Sequence, residues 1–281
     1  MSALVFTLRE APAQRLDLAP LVPQRLSGLS ESDIARIELQ TTRERVCAAD
    51  IFKIAMGDAE RIVFEGGSER LDRIGCGMDS GDIRINGDAG LQAGRLMRGG
   101  TLAIDGNAGP WAASGMKGGV LKIAGNAGDR LGGPLAGETA GMRGGIVVVV
   151  GNAGARAADK LRRGMIVVEG DAGAQAASRM IAGTLIVRGR AGPLPGYLMA
   201  RGTLVLAAGG ETLSPTFADC GVHKFETNAL MAAYIKPYSP ALADILHRPW
   251  RRLAGDMAVT GKGEIFYPPD CTPVAGSDER R

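Results

Sequence analysis

Histidine is almost missing from this 281-residue chain, which has only His223 and His247. That leaves few options for histidine-based catalysis or metal binding. Cysteine is nearly as scarce: Cys47, Cys76, Cys220 and Cys271 lie far apart, with no CxxC pair. The spacing excludes a disulfide framework and a four-thiolate zinc or iron–sulfur site. Long apolar runs are lacking too. The longest, Ile146 to Val150 and Ala229 to Ile235, fall far short of the roughly 18 residues a membrane span needs. The first residues carry no basic region followed by an apolar core, so a cytoplasmic location is expected, with no membrane. Charge of one sign is lacking: 33 basic and 30 acidic residues leave +3, too little to argue for a nucleic-acid partner. The phosphate-binding GxxxxGK[ST] loop and the calcium-binding GGxGxDxUx nonapeptide are both absent.

What the chain has instead is glycine, 42 residues of it, arranged periodically. Gly-Asn/Asp-Ala-Gly tetrapeptides begin at Gly87, Gly106, Gly125, Gly151 and Gly170, and Gly189-Arg190-Ala191-Gly192 completes the series. Their first glycines step along the chain by 19, 19, 26, 19 and 19. The long step is 19 plus a seven-residue insertion, which falls in the loop-like stretch Leu131 to Glu138. Four and two positions before each tetrapeptide stand paired apolar residues: Ile83/Ile85, Leu102/Ile104, Leu121/Ile123, Val147/Val149, Ile166/Val168 and Leu185/Val187. Ile62/Phe64 and Leu204/Leu206 extend the register outwards. Such alternation specifies short strands with one apolar face. A second column, Met78, Met97, Met116, Met142, Leu161, Met180 and Met199, precedes a turn glycine by three positions each time. Stacked thioethers fill a core well, so this column reads as packing rather than as a soft-metal site.

One such unit cannot bury its apolar face alone, whereas stacked units can. The fold expected is all-β: a right-handed parallel β-helix (solenoid) over residues 61–210, with a 19-residue coil that gives two or three short strands. A capping segment (1–60) and a C-terminal extension (211–281) flank it, both with small α/β elements. Strands are expected near Leu4–Leu8 and over Arg45–Ile54. Ser30-x-x-Asp33 predicts a short helix, and further helices are expected over Asn228–Ile235 and around Ala241–His247. The final Pro- and charge-rich stretch is expected to be loose.

Two surfaces break the repeat's plain pattern. The residues after the methionine column include Arg98, Lys117, Arg143 and Arg162, the last followed by Arg163. Such a basic ladder is either a solvated edge or a surface for an acidic partner or an anionic carrier. The outward position of the strands turns apolar in the later coils, at Val148, Val167, Ile186 and Val205. That stripe needs a cover, either the chain's own C-terminal segment or the interface with another protein chain. Cys220 and His223, beside Asp219, offer the one place where an independent β-helix acyltransferase site could be sought.

The Gly-x-Met-x-Gly-Gly-x-Ile-x-Val-x-Gly-Asn-Ala-Gly style coil resembles the GXGXG domain shared by glutamate synthase and the C subunit of formylmethanofuran dehydrogenase. Pro215-Thr216-Phe217-Ala218-Asp219-Cys220-Gly221, the opening from Phe6 to Pro23, and Arg251 to Ala258 with Gly261 to Ile265 favour the second, in its bacterial form. The resemblance covers about residues 1–266. It implies a structural C subunit, not catalytic by itself, of a formyltransferase/hydrolase complex of one-carbon metabolism in methylotrophs. Such a complex moves a formyl group from formyl-tetrahydromethanopterin to a methanofuran-type carrier and releases formate. The partners implied are an amidohydrolase-like A subunit, a formyltransferase-like D subunit, and the B subunit of the same complex. The carrier, the tetrahydromethanopterin and the metal ions belong to those partners, with no cofactor in this chain. The alternative implied is the C subunit of a molybdenum- or tungsten-dependent dehydrogenase. No catalytic residue of either family maps onto this sequence.

Overall fold

The computed structural model describes residues 2–40 and 44–271. The final stretch beyond Cys271 lies outside them. Among the described residues, thirteen strands form one sheet. In chain order they are β1 (Ala3–Leu8), β2 (Phe52–Ala55), β3 (Asp58–Glu65), β4 (Asp82–Asn86), β5 (Thr101–Ile104), β6 (Val120–Ile123), β7 (Arg143–Val149), β8 (Arg163–Val168), β9 (Thr184–Val187), β10 (Arg201–Leu206), β11 (Ala218–His223), β12 (Trp250–Ala254) and β13 (Lys262–Tyr267). Strands β3 to β10 run parallel in sequence order. The molecule is therefore β-rich, built on a large and mainly parallel sheet.

The apolar pairs that define the repeat are the inner face of that sheet. Ile83 sits beside Leu102, Leu102 beside Leu121, and Leu121 beside Val147. The side chains at these positions are 0–1 % exposed. Each aliphatic group so buried contributes about 1.5–3 kcal/mol relative to a solvated one. The lengthened step leaves the register intact, because Val120 pairs with Ile146 as it does with Thr101. The inserted residues bulge out elsewhere.

The tetrapeptides build a second parallel column. Single-residue bridges join Ala89, Ala108, Ala127, Ala153, Ala172, Ala191 and Gly210 in turn. Beside them runs a ladder of side-chain acceptors. Asp88 Oδ1 accepts the Asn107 N–H at 2.7 Å, Asn107 that of Asn126 at 2.8 Å, and Asn126 that of Asn152 at 2.8 Å. Asn152 and Asp171 continue it. The second tetrapeptide position is thus Asn or Asp because it must accept from the next repeat. The first is Gly for lack of room: a Cβ on Gly125 would lie 2.6 Å from Asn107 Oδ1 and 2.7 Å from Gly106 O.

The methionine column is fully buried, at 0 % exposure from Met78 to Met199. Each side chain reaches under the turn glycine of the following repeat. At Gly119, with φ +85°, an added Cβ would meet the Met97 methyl and the Gly100 carbonyl oxygen, both at 2.7 Å.

The third wall differs from the two or three strands expected of each coil. It is a run of turns in which non-glycine residues take left-handed conformations: Gln92, Trp111, Arg130, Arg156 and Gln175 have φ between +57° and +60°. Such residues cost about 1 kcal/mol or more apiece. The wall holds because its amides pair alternately with both neighbours, Gln92 N–H to Pro110 O at 2.9 Å and Gly94 N–H to Ile74 O at 2.8 Å.

The flanks lengthen the stack at both ends. Strand β1 lies parallel to β3, and Phe6, Phe64 and Phe52 form a ring cluster with centroids 5.1–5.7 Å apart. Strand β2 closes that edge antiparallel to β1. The strand expected over Arg45–Ile54 is interrupted by a helical turn, Ala48–Ile51, whose Asp50 carboxylate accepts the Cys47 N–H at 2.7 Å. Ser30 and Asp33 cap the helix Glu31–Ala35 reciprocally, as their spacing predicts. At the other end β13 returns after a long excursion to lie parallel to β10, with Ile265 beside Leu204. Strands β12 and β11 follow antiparallel. The excursion carries helices α1 (Glu226–Ile235) and α2 (Pro240–Leu246).

Candidate functional site

The basic ladder is held by the backbone beneath the methionine column. Arg98 N–H donates to Met78 O at 2.8 Å, Lys117 to Met97 at 2.7 Å, Arg143 to Met116 at 2.6 Å and Arg162 to Met142 at 2.9 Å. Four exposed cations therefore stand one above another, about 4.8 Å apart at their backbones. Arg163 joins them in register with Arg143. Elsewhere several cations are ion-paired, among them Arg15 with Asp72 at 2.7 Å, Arg73 with Asp17 at 2.5 Å and Arg84 with Asp105 at 2.8 Å. In the ladder Arg98 reaches Asp79 at 3.6 Å. Lys117, Arg143, Arg162 and Arg163 form no ion pair or side-chain hydrogen bond among the described residues, although the charge of Arg143 acts on Glu138. Two exposed cations extend the column: Arg201 and Lys262 lie beside each other on β10 and β13. Sequence reading reaches Arg201 by counting two positions past Met199, but Lys262 lies outside the repeat and only the fold brings it there.

The insertion sits beside this ladder. Its Glu138 accepts from Arg95 at 2.7 Å and from the Leu135 N–H at 2.9 Å, while Arg95 also donates to the buried Ser114 hydroxyl at 3.0 Å. The hydrogen bond from Arg95, with help from Leu135 and the positive charge of Arg143, holds the Glu138 carboxyl below the usual carboxylate range. Between the insertion and the ladder lies a cleft of about 310 Å³, lined by Leu96, Lys117, Glu138, Ala140 and Arg143 among others.

The apolar stripe, expected to face either another protein chain or the chain's own C-terminal segment, is covered by the latter. Val167, Ile186 and Val205 are 0–1 % exposed, packed under the chain's own α1–α2 hairpin with Ala232, Ile235, Leu242, Leu246, Trp250 and Phe266. Val148, 6 % exposed, lines a groove at the hairpin's turn with Pro237 and Tyr238. The buried Ser239 hydroxyl, which caps α2, also donates to Glu169 and pins the hairpin to the sheet. What this side offers outwards is the far face of α1, where Leu230 is 75 % and Tyr234 55 % exposed.

Cys220 and His223 do not pair as nucleophile and base. The His223 Nε2 lies 2.7 Å from the Cys220 backbone carbonyl, and the Cys220 thiol points to Ala218 O at 3.7 Å. Asp219 is taken up by the Gly221 N–H and Arg251, which lower its carboxyl pKa. No group of three His, Cys, Asp or Glu side chains that could hold a metal ion occurs among the described residues.

Known proteins resemble this chain in sequence and fold. The chain is 48 % identical over 261 residues to the C subunit of the formyltransferase/hydrolase complex Fhc of Methylorubrum extorquens, covering 93 % of this chain and 98 % of that one. The chain belongs to the Fhc C-subunit family. Its fold also matches a chain of the X-ray crystal structure of the formyltransferase/hydrolase complex FhcABCD from the same organism in complex with methylofuran. The TM-score is 0.89 at 43 % identity, with 94 % of this chain and 99 % of that chain covered. The C subunit of a tungsten-containing formylmethanofuran dehydrogenase from Methanococcus maripaludis is 29 % identical over 93 residues, about a third of each chain. No protein-family model matches. Family membership therefore rests on the flanks as well as the repeat, since the match to the bacterial Fhc protein spans both. No helix among the described residues is long and apolar enough to cross a membrane.

Proposed function

We propose that this chain is the non-catalytic C subunit of a cytoplasmic formyltransferase/hydrolase complex, a rigid scaffold on which the A, B and D subunits assemble. The observation that carries the reading is the near full-length match, at 48 % identity, to the Fhc C subunit. The complex would pass a formyl group from formyl-tetrahydromethanopterin to a methanofuran-type carrier and hydrolyse it to formate. The carrier, the pterin and the metal ions are assigned to the partner proteins.

The scaffold proposed is a right-handed parallel β-helix spanning residues 61–210, capped by 1–60 and extended by 211–281. In-register parallel pairing in two columns, renewed at every step of the repeat, supports it. Its basic ladder, Arg98, Lys117, Arg143, Arg162 and Arg163, is proposed to face an acidic partner surface or the anionic carrier. The stacking of these exposed cations one above another on a single face supports that role.

Affinity isolation of this chain from its native cell, with identification of what accompanies it, tests the reading. The A, B and D subunits are expected. A chain recovered alone overturns the scaffold role, and a molybdopterin-bearing protein in its company moves it to the dehydrogenase.

A further inference from the structure

We propose that the cleft between the insertion and the ladder is a binding site for a carboxylate on a short aliphatic stem, clamped between Lys117 and Arg143. This deepens the ladder reading above and rests on it. Four observations converge. The repeat has one lengthened step among its six tetrapeptides, and it falls between the rungs that carry these two cations, a step of 26 against 19 elsewhere. The added residues wall off a cleft of about 310 Å³ beside an otherwise open face. Inside it, Glu138 is already neutralised by Arg95, and Arg95 is further satisfied by Ser114. Lys117 and Arg143 have no ion pair or side-chain hydrogen bond among the described residues, and against the one negative charge of Glu138 the cations Arg95, Lys117 and Arg143 leave the cleft net positive.

The lining selects the ligand's form. Leu96, 37 % exposed, and Ala140 give the cleft an apolar side. A compact dianion such as phosphate would be pressed against the Glu138 carboxylate. A carboxylate on methylenes keeps its charge at the rim and its stem on Leu96. Adjacent rungs stand about 4.8 Å apart, a gap that the two oxygens of one carboxylate bridge when both side chains turn inwards. The carboxylate can come from an acidic side chain of a partner protein or from a carboxylated small molecule.

The test uses the full chain, with glutarate as probe and glutaramide as the uncharged control, followed by calorimetry at low salt. Saturable binding of glutarate alone is expected. Lys117→Gln and Arg143→Gln should each weaken it about tenfold or more, and Lys53→Gln, on β2 away from the ladder, should leave it unchanged. All three positions are exposed, and unaltered melting temperatures verify that the variants fold. Equal weakening by all three variants would mean diffuse charge and overturn the site. In the assembled complex, acetic anhydride labelling of Lys117 is compared with that of Lys122. Protection of Lys117 without glutarate binding assigns the carboxylate to a partner's side chain. Neither binding nor protection overturns the proposal. Copurification of the A, B and D subunits with the unaltered chain is scored separately, so failure of the scaffold reading is not mistaken for failure of the cleft.

Discussion

Replacing Gly119 by alanine tests the packing between methionine column and turn glycine. Two costs combine there. Alanine at φ +85° gives up about 1–2 kcal/mol against glycine. Its Cβ also meets the Gly100 carbonyl and the Met97 methyl, both at 2.7 Å, an overpacking that costs about 1–3 kcal/mol. Together these come to about 2–5 kcal/mol. Gly137 separates the two, because it has φ +83° but nothing within 4 Å of the added Cβ. Gly137→Ala should lose only the torsional part, about 1–2 kcal/mol. Met97→Ala supplies a third arm. It is destabilising by itself, but Gly119→Ala should cost less in its background, since the methyl is gone and only the carbonyl clash remains. Urea unfolding of the four variants, followed by far-ultraviolet circular dichroism, measures all three quantities. If the cycle with Met97 is additive, the interlock does not exist, and if Gly119→Ala costs no more than Gly137→Ala, the glycine is there for torsion alone.

Further outcomes follow from single buried groups. Asn228 is 2 % exposed on the inner face of α1 with both amide atoms unpartnered, so Asn228→Leu should stabilise the chain by about 1–3 kcal/mol in the same urea assay. A loss there would mean that the amide has found a partner. Tyr267 has a buried, unpartnered hydroxyl, and burial, with the nearby Cys271, pushes its pKa up to about 12 from the ordinary 10.0. The folded chain then holds the proton longer than the unfolded one. Stability present below pH 10 should decline as the pH rises towards 12, and Tyr267→Phe should remove that decline while costing little at neutral pH. The Glu138 carboxyl is held below its usual range by Arg95, so its contribution is present at neutral pH and lost as acid protonates it in the fold. Glu138→Gln should flatten that part of the acid limb of a melting-temperature profile, and an unchanged limb would show that the pair adds nothing.

The repeat is legible because its constraints recur at every step: apolar pairs, a thioether, a turn glycine and an Asx acceptor all face the same neighbour one repeat on. Features without that recurrence are read only in part: the strand near Leu4–Leu8 is expected, but its place in the sheet is not. Ala3–Leu8 and Lys262–Tyr267 supply rungs at the two ends, yet neither carries the tetrapeptide, and the second returns only after the hairpin. The left-handed wall is invisible because Gln92, Trp111 and Arg130 are not residues that announce φ > 0. The apolar stripe signals that Val167, Ile186 and Val205 need a cover. It does not say which, because α1 turns Asn228, Ala232 and Ile235 inwards and leaves Leu230 and Tyr234 in water, a poor amphipathic pattern. At the candidate site the ladder cations stand out by spacing, whereas the cleft needs Glu138 to fold back on Arg95 across 43 residues.

The return of β13 has a consequence for synthesis. Translation is vectorial, and the stack's last rung is made from nearly the last residues described, 262–267. Until those leave the ribosome, β10 presents an open edge, and the outer faces of Val167, Ile186 and Val205 wait for Trp250 and Phe266 to join their cover. A product arrested near residue 210 would carry nearly the whole repeat yet display both an unpaired strand and an oily flank, two features that quality-control proteases and holdases bind. Closing the last rung removes both sticky surfaces at once, and only a chain made as far as residue 267 can close it.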